Sequence, residues 1–504
     1  MQSISEMIEA AGRYEQDRIA IISEEGRVTY KDLNNNINKL ANGLIRLGIK
    51  RGDFVMTMIP NSLRFIIAHY AIIKAGATAV PLNVMYKAHE ISYIGQDNGA
   101  CAIIADSDLW EGSASVRDEL PALRHVIISK GTAVNGTTPL DDVFSDIETA
   151  PVITSELDDI VCVIYTSGTT GRPKGATQTH RSIFANVIGC CVIHKFTRED
   201  RIVCGLPMYN NFALSTVIMP AFFIGATVII IGRFDARKVL DAIKEHGCTY
   251  FPGVPTMFSY LLQEYKEGYD DVSTLRVIYS GGAHCPSEII RQVETTFGVA
   301  LLDGYGQTEG CGPTTIPPYI GIRKENSVGT PSNCVVKIFD DNDNELPLGQ
   351  TGEIVLHGDC FSIHGYLNRP DVNAEIYRNG WFHTGDLGYV DQDGYLYISG
   401  RKQDLIITGG QNIYPAEVEA ALYTYPKVAL AAVIGIADKE KGELAKAYIV
   451  LKDSQAATEQ EIIDYVRNRI AKFKAPRYVE FVESLPQGPT GKILKRELKE
   501  MVKN

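Results

Sequence analysis

A chain of 504 residues is too long for a single hydrophobic core, so about two to four domains are expected. Hydrophobic residues make up 45% and charged residues 22%, the balance of a soluble globular protein. With 49 basic and 61 acidic side chains the net charge is −12, which argues against nucleic acid or an anionic membrane as a partner of the whole surface.

The amino terminus, Met1 to Glu6, has neither a basic segment nor a long apolar one, so no signal peptide is expected. Residues 1 to about 60 read as a helix, short strands at 19–22 and 28–30, and a second helix. Thr29 reads as its N-cap, with Leu40, Leu44 and Leu47 at helical spacing. Strand and helix then alternate: strand 54–59 with a helix from Ser62, strand 78–81 with a helix from Lys87, then strand 102–105. This is the βαβ rhythm of an open, largely parallel sheet covered by helices. A second such unit runs from about 159 to about 320, with strands at 160–164, 201–206, 227–231, 250–253 and 277–280. The most apolar window, 217–231, is interrupted by Pro220 and Gly225. It falls short of the roughly 20 residues a membrane span needs and reads as helix, turn and core strand.

Beyond residue 325, short strands at 335–339 and 353–356, with a turn at 340–344, predict a small β-rich subdomain. A strand at 395–399 and the charged run Gly400 to Asp404 mark a boundary. Past it, helix 415–423, strands 428–434 and 446–451, helix 459–471 and strand 478–481 form a compact α+β unit. The expected fold is therefore α/β: a large N-terminal domain, 1–400, of stacked, mostly parallel βα sheets plus a β-rich part, with subdomains near 1–158, 159–324 and 325–400. A smaller, mobile α+β domain, 405–504, follows a hinge at 401–404. The ten cysteines, Cys101, Cys162, Cys248 and Cys334 among them, show no CxxC pair and no His/Cys ligand spacing. They read as small core hydrophobes in a reducing cytosol, so a cytoplasmic location is expected.

Three stretches carry chemistry. Tyr165 to Gly175 (YTSGTTGRPKG) follows an apolar strand. Its glycines Gly168, Gly171 and Gly175, hydroxyls Thr166, Ser167, Thr169 and Thr170, and the cation Lys174 make a donor-rich loop suited to a polyphosphate. It is not a Walker A loop, because Pro173 precedes the lysine and Gly175 follows it. The segment Asp303 to Glu309 (DGYGQTE) offers an aromatic face for a base, a hydroxyl for a phosphate and a carboxylate for a hard cation. Trp381 to Asp386 (WFHTGD) ends in a carboxylate able to accept from vicinal hydroxyls.

These motifs, in this order over nearly the whole chain, resemble the adenylate-forming superfamily of acyl- and aryl-CoA synthetases, peptide-synthetase adenylation domains and firefly luciferase. The resemblance implies that Thr166 to Lys174 bind the phosphates of ATP and that Tyr305 stacks on adenine beside Gly281, Gly282 and Ala283, with Asp303 close by. It implies further that Thr308 meets the α-phosphate, that Glu309 and Thr166 hold Mg²⁺, that Asp386 binds the ribose, and that Arg401 reaches the ribose or phosphate. Lys492, in Pro489 to Arg496, resembles the lysine that serves the adenylation half-reaction. Tyr209, Asn210, Gly304 and Gly306 fall at the acyl pocket. Thr408, Gly409, Gly410 and Gln411 fall at the pantetheine tunnel, with Lys472 and Lys474 at the nucleotide end of CoA and Gln403 at the hinge. Two positions depart from the family: Asn210, where a histidine is common, and Gln403, where Asp or Lys is usual.

The reaction implied is carboxylate plus ATP to acyl-AMP and pyrophosphate, then acyl-AMP plus CoA to acyl-CoA and AMP. An amine or a carrier-protein thiol as acceptor is the rival reading, and a non-catalytic nucleotide-binding protein the remote one. Expected partners are a small-molecule carboxylic acid, ATP, Mg²⁺ and CoA. The sequence names neither the acid nor the oligomeric state, a homodimer included.

Overall fold

The structure, a computed structural model, describes residues 3–166, 172–452, 454–488 and 493–502. Two seven-stranded sheets dominate it. In one, Phe54–Met58, Thr78–Pro81, Ala102–Ala105 and His125–Ile128 run parallel, each strand rich in β-branched or small apolar residues and mostly buried. In the other, Arg201–Cys204, Thr227–Ile230, Tyr250–Gly253, Val277–Ser280 and Ala300–Asp303 are parallel.

The sheets are not assembled in the order of the chain. Ile160–Thr166 joins the first sheet beside Thr78–Pro81, while Ile19–Ser23 joins the second beside Thr227–Ile230. The two halves of the chain thus exchange strands. The N-terminal helices are built as their spacing predicts: Thr29 Oγ1 accepts the Asp32 N–H at 3.1 Å, and Tyr30–Arg46 buries Leu33, Ile37, Leu40 and Leu44.

One core is shared by facing sides of both sheets and by helices Ile4–Tyr14, Tyr30–Arg46, Leu63–Lys74 and His180–His194. Two further cores lie on the outer faces, under Ala236–His246 and Ser287–Phe297 on one side and Ala88–Asn98 on the other. The result is five layers, α–β–α–β–α. All ten cysteines are free, and Cys162, Cys190, Cys204 and Cys311 are fully buried, as small core hydrophobes should be. Among the described residues no helix is long and apolar enough to cross a membrane.

A five-stranded antiparallel sheet follows, with Val335–Phe339, Gly352–His357, Trp381–Val390 and Leu396–Arg401 around Ile354, Leu356 and Phe382. The last sheet, centred on the long pair Val428–Asp438 and Gly442–Leu451, carries Pro415–Tyr423 and Glu459–Arg467 over one core and Lys495–Met501 over another.

Candidate nucleotide and acyl site

The carboxyl ends of the parallel strands collect the site, as open α/β sheets do. From the second sheet come the loop after Val277–Ser280, which holds Gly281, Gly282 and Ala283, and the turn after Ala300–Asp303, which leads into Tyr305. Asp303 is buried, and its Oδ2 accepts the Cys285 N–H at 3.1 Å and lies 3.6 Å from His284 Nδ1. It therefore fastens the 281–285 loop from beneath. Burial alone would lower the His284 pKa; the hydrogen bond and charge of Asp303, then the charge of Glu419, outweigh it and raise it.

Tyr305–Gln307 pairs with Gly312–Ile316, and two glycines make this pairing fit. A Cβ on Gly304 would stand 2.3 Å from the Tyr279 hydroxyl, and one on Gly306 only 2.1 Å from the Gly312 carbonyl oxygen. Gly306→Ala should therefore pry the two strands apart and shift Tyr305, costing about 1–3 kcal/mol of stability and at least half of the ATP affinity. Thermal unfolding and ATP titration check both.

Tyr305 Oη donates to Asp386 Oδ2 at 2.6 Å, and Arg401 Nε is 3.1 Å from Asp386 Oδ1. Asp386 and Arg401 are directly opposed across antiparallel strands, so sheet register sets their meeting. Locally, Thr384 Oγ1 donates to the Ile354 carbonyl at 2.7 Å and accepts the Asp386 N–H at 3.0 Å, with Gly385 at φ +70° completing the turn. Burial, and then the carboxylate of Asp386, push the Tyr305 phenol well above its ordinary value, so it remains a donor.

In the segment expected to meet the phosphates, Ile160–Thr166 pairs antiparallel with Lys174–Thr179, Thr166 opposite Lys174. The phosphate-loop residues Ser167, Gly168, Thr169, Thr170 and Gly171, and Lys492, lie outside the described residues. Lys174 Nζ stands 5.6 Å from the centre of the Tyr366 ring, and the Tyr366 hydroxyl donates to Glu309 Oε1. Thr308 opens the single 3₁₀ turn that presents Glu309. The charges of Asp386 and, more weakly, of Glu309 both act on Arg401.

The segment expected to line the acyl pocket is pinned by Asn61, whose Nδ2 donates to the Leu206 carbonyl at 2.8 Å and whose Oδ1 accepts the Met208 N–H at 2.8 Å. Asn210 caps the short helical turn Asn211–Ala213 and accepts the Phe212 N–H at 3.5 Å. Tyr209 is half-buried, and burial, then Tyr86, push its phenol up to about 12. Phe212 packs edge-on to Tyr279 with ring centres 5.6 Å apart.

The residues expected on the acceptor side belong to the last sheet and a turn beside it. Thr408 and Gln411 face each other across a hairpin whose two-residue turn, Gly409 and Gly410, has φ of +56° and +79°. Lys474 is engaged by Glu417 at 2.7 Å, and Lys472 is exposed. Gln403 is exposed within the 3₁₀ turn Lys402–Asp404. Two contributors escape motif reading, Tyr366 and Asn61. The only signal for either is a polar residue in an irregular stretch after a strand.

A Mg²⁺ site fits these residues in one way. Among the described residues no group of three His, Cys, Asp or Glu could hold a metal, and Glu309 keeps one carboxylate oxygen without a hydrogen-bond partner. A hard cation held here would take that oxygen and draw its other ligands from phosphates and water.

Residues 8–367 match the AMP-binding enzyme family, and residues 417–492 match the AMP-binding enzyme C-terminal domain. The chain is 35% identical over 482 residues to the long-chain-fatty-acid–CoA ligase FadD13 of Mycobacterium tuberculosis, covering 95% of this chain and 94% of the relative. It is 36% identical over 474 residues to a feruloyl-CoA synthase of Amycolatopsis sp, covering 94% and 93%. The structure of ATP-bound MatB from Rhodopseudomonas palustris superposes with a TM-score of 0.92 at 30% identity, covering 100% of this chain and 99% of that one. The chain belongs to the AMP-binding enzyme family and is an AMP-forming acyl-CoA ligase of the adenylate-forming superfamily.

Proposed function

We propose that this ligase activates an apolar or aromatic monocarboxylic acid, with the residue roles that follow. The observation that carries the reading is the meeting of Tyr305, Asp386 and Arg401 in one group and of Lys174 and Glu309 about Tyr366 in another. Together these groups suit a nucleoside triphosphate: aromatic face for the base, carboxylate for the ribose hydroxyls, cation for the phosphates.

In the first step a carboxylate oxygen attacks the α-phosphorus, the α–β bridging bond breaks, and pyrophosphate leaves. Lys492 stabilises the negative charge that builds between acid and α-phosphate, and Thr308 donates to the α-phosphate. Mg²⁺ arriving with ATP neutralises phosphate charge; Glu309 and Thr166 are the residues that would hold it. The C-terminal unit, residues 405–504, then turns about Gln403 and exchanges Lys492 for the Thr408–Gln411 turn. The CoA thiolate attacks the acyl carbon, and AMP leaves with the oxygen that the acid supplied. Lys472 and Lys474 grip the nucleotide end of CoA, which requires Lys474 to leave Glu417.

The aromatic character of Tyr209 and Phe212, the latter packed on Tyr279, supports the acid class. Incubating the enzyme with ATP, Mg²⁺, CoA and a mixed panel of acids, then weighing the thioesters, tests it. Apolar or aromatic acyl-CoA products are expected; turnover confined to dicarboxylic or highly polar acids would contradict the assignment.

A further inference from the structure

Tyr366 lies outside every motif that builds the nucleotide site, yet it touches two of the site's charged residues. Its hydroxyl donates to Glu309 Oε1, and Lys174 Nζ lies 5.6 Å from its ring centre. Glu309 Oε2 has no hydrogen-bond partner among the described residues.

Tyr366 itself is fixed from several sides. Its N–H donates to Asn373 Oδ1 at 2.7 Å, and its carbonyl accepts from Asn373 Nδ2 at 2.9 Å. The preceding Gly365 has φ +59°, and a Cβ there would stand 2.5 Å from Asn373 Oδ1, so the bend admits little else. The segment is laid along the outer strand of the phosphate hairpin: Ala176 bridges Tyr366, the Leu367 N–H donates to the Gly175 carbonyl at 2.8 Å, and the Thr177 N–H donates to the Gly365 carbonyl at 3.1 Å. A stretch more than 180 residues downstream thus clamps the strand that begins at Lys174.

We infer that Tyr366 is a positioning residue for the metal–phosphate end of the site. Its hydroxyl holds one oxygen of Glu309, and its ring faces Lys174, so that the second carboxylate oxygen and the ammonium are presented together to a Mg²⁺-bound triphosphate. The inference rests on the proposed placement of Glu309 and Lys174 at the phosphates. A glutamate left to rotate must lose its rotamer freedom on binding the cation, and the tyrosine removes that loss in advance.

The test is calorimetric binding of an ATP analogue with a methylene bridge between its α and β phosphates, measured in EDTA, at low Mg²⁺ and at saturating Mg²⁺. Tyr366→Phe keeps the ring and removes only the hydroxyl. It should weaken the analogue about tenfold at low Mg²⁺, as loss of a hydrogen bond to a charged group does. It should leave the EDTA affinity and the unfolding midpoint unchanged and recover at saturating Mg²⁺. Tyr366→Leu, which also removes the face beside Lys174, should weaken metal-free binding too. In the double variant Tyr366→Phe with Glu309→Gln, the two losses should not add. Wild-type affinity for Tyr366→Phe at every Mg²⁺ level overturns the inference and leaves the nucleotide site standing. So does an equal loss at every level accompanied by a lower unfolding midpoint, which marks a purely structural role. A wild-type enzyme whose analogue affinity ignores Mg²⁺ overturns the placement of Glu309 itself.

Discussion

Replacing Lys492 with alanine should slow acyl-adenylate formation by about 10² to 10³-fold, the worth of one aimed donor or cation in a water-excluded site. Conversion of supplied acyl-AMP and CoA to the thioester should continue at close to the wild-type rate. The asymmetry follows from where charge develops: negative charge builds between carboxylate and α-phosphate in the first step, whereas thiolysis places it on the acyl carbonyl. The chain on either side of Lys492 is anchored to the C-terminal sheet. Ile493 bridges Gln487, the Leu494 N–H donates to the Pro486 carbonyl at 2.8 Å, and Leu498 is buried against Ala432, Ile434 and Tyr448. In the proposed mechanism the C-terminal unit carries this lysine, which therefore serves the step that the unit faces. Single-turnover assays of each half-reaction measure the ratio, and equal loss in both contradicts the role.

Asp386→Ala has the second largest expected effect, about 10²-fold weaker ATP binding. Two ribose hydroxyls lose a charged acceptor, and hydrogen bonds to charged groups contribute about 1.5–3 kcal/mol each before compensation. The substitution also strips Tyr305 of the acceptor at 2.6 Å and Arg401 of its ion-pair partner at 3.1 Å, so both binding surfaces loosen together. Asp386→Asn keeps the shape and one acceptor and should lose less. ATP titration decides; unchanged affinity in the alanine variant removes Asp386 from the ribose site.

Much of this architecture can be read from local pattern. The strands Thr78–Pro81, Ala102–Ala105, Tyr250–Gly253, Val277–Ser280 and Tyr478–Phe481 and the helix Pro415–Tyr423 fall where short apolar runs, proline and turn residues place them. Ends are less legible: the amphipathic pattern carries the helix from Glu459 to 471, but it stops at Arg467, with Asn468 as its C-cap. Strand exchange between the two large sheets leaves no local trace, because pairing of Ile160–Thr166 with Thr78–Pro81 depends on tertiary packing alone.

The site shows the same division. Tyr305, Asp386 and Arg401 are legible as motif residues and do converge. Asp303 has a local use as well, its Oδ2 fastening the loop above it through the Cys285 N–H. Asn210, a departure from the family at the motif level, has a local use as a helix cap, a role a histidine fills less well. Tyr366 was illegible because its partner Glu309 is 57 positions away, and only folding brings a tyrosine from an irregular stretch beside it.

The central claim is that the acid itself attacks the α-phosphorus. Supplying the acid with ¹⁸O in its carboxylate, together with ATP, Mg²⁺ and CoA, and weighing the products reads that bond directly. The account predicts one labelled oxygen in AMP and none in pyrophosphate; unlabelled AMP, or label appearing in inorganic phosphate beside ADP, would contradict it.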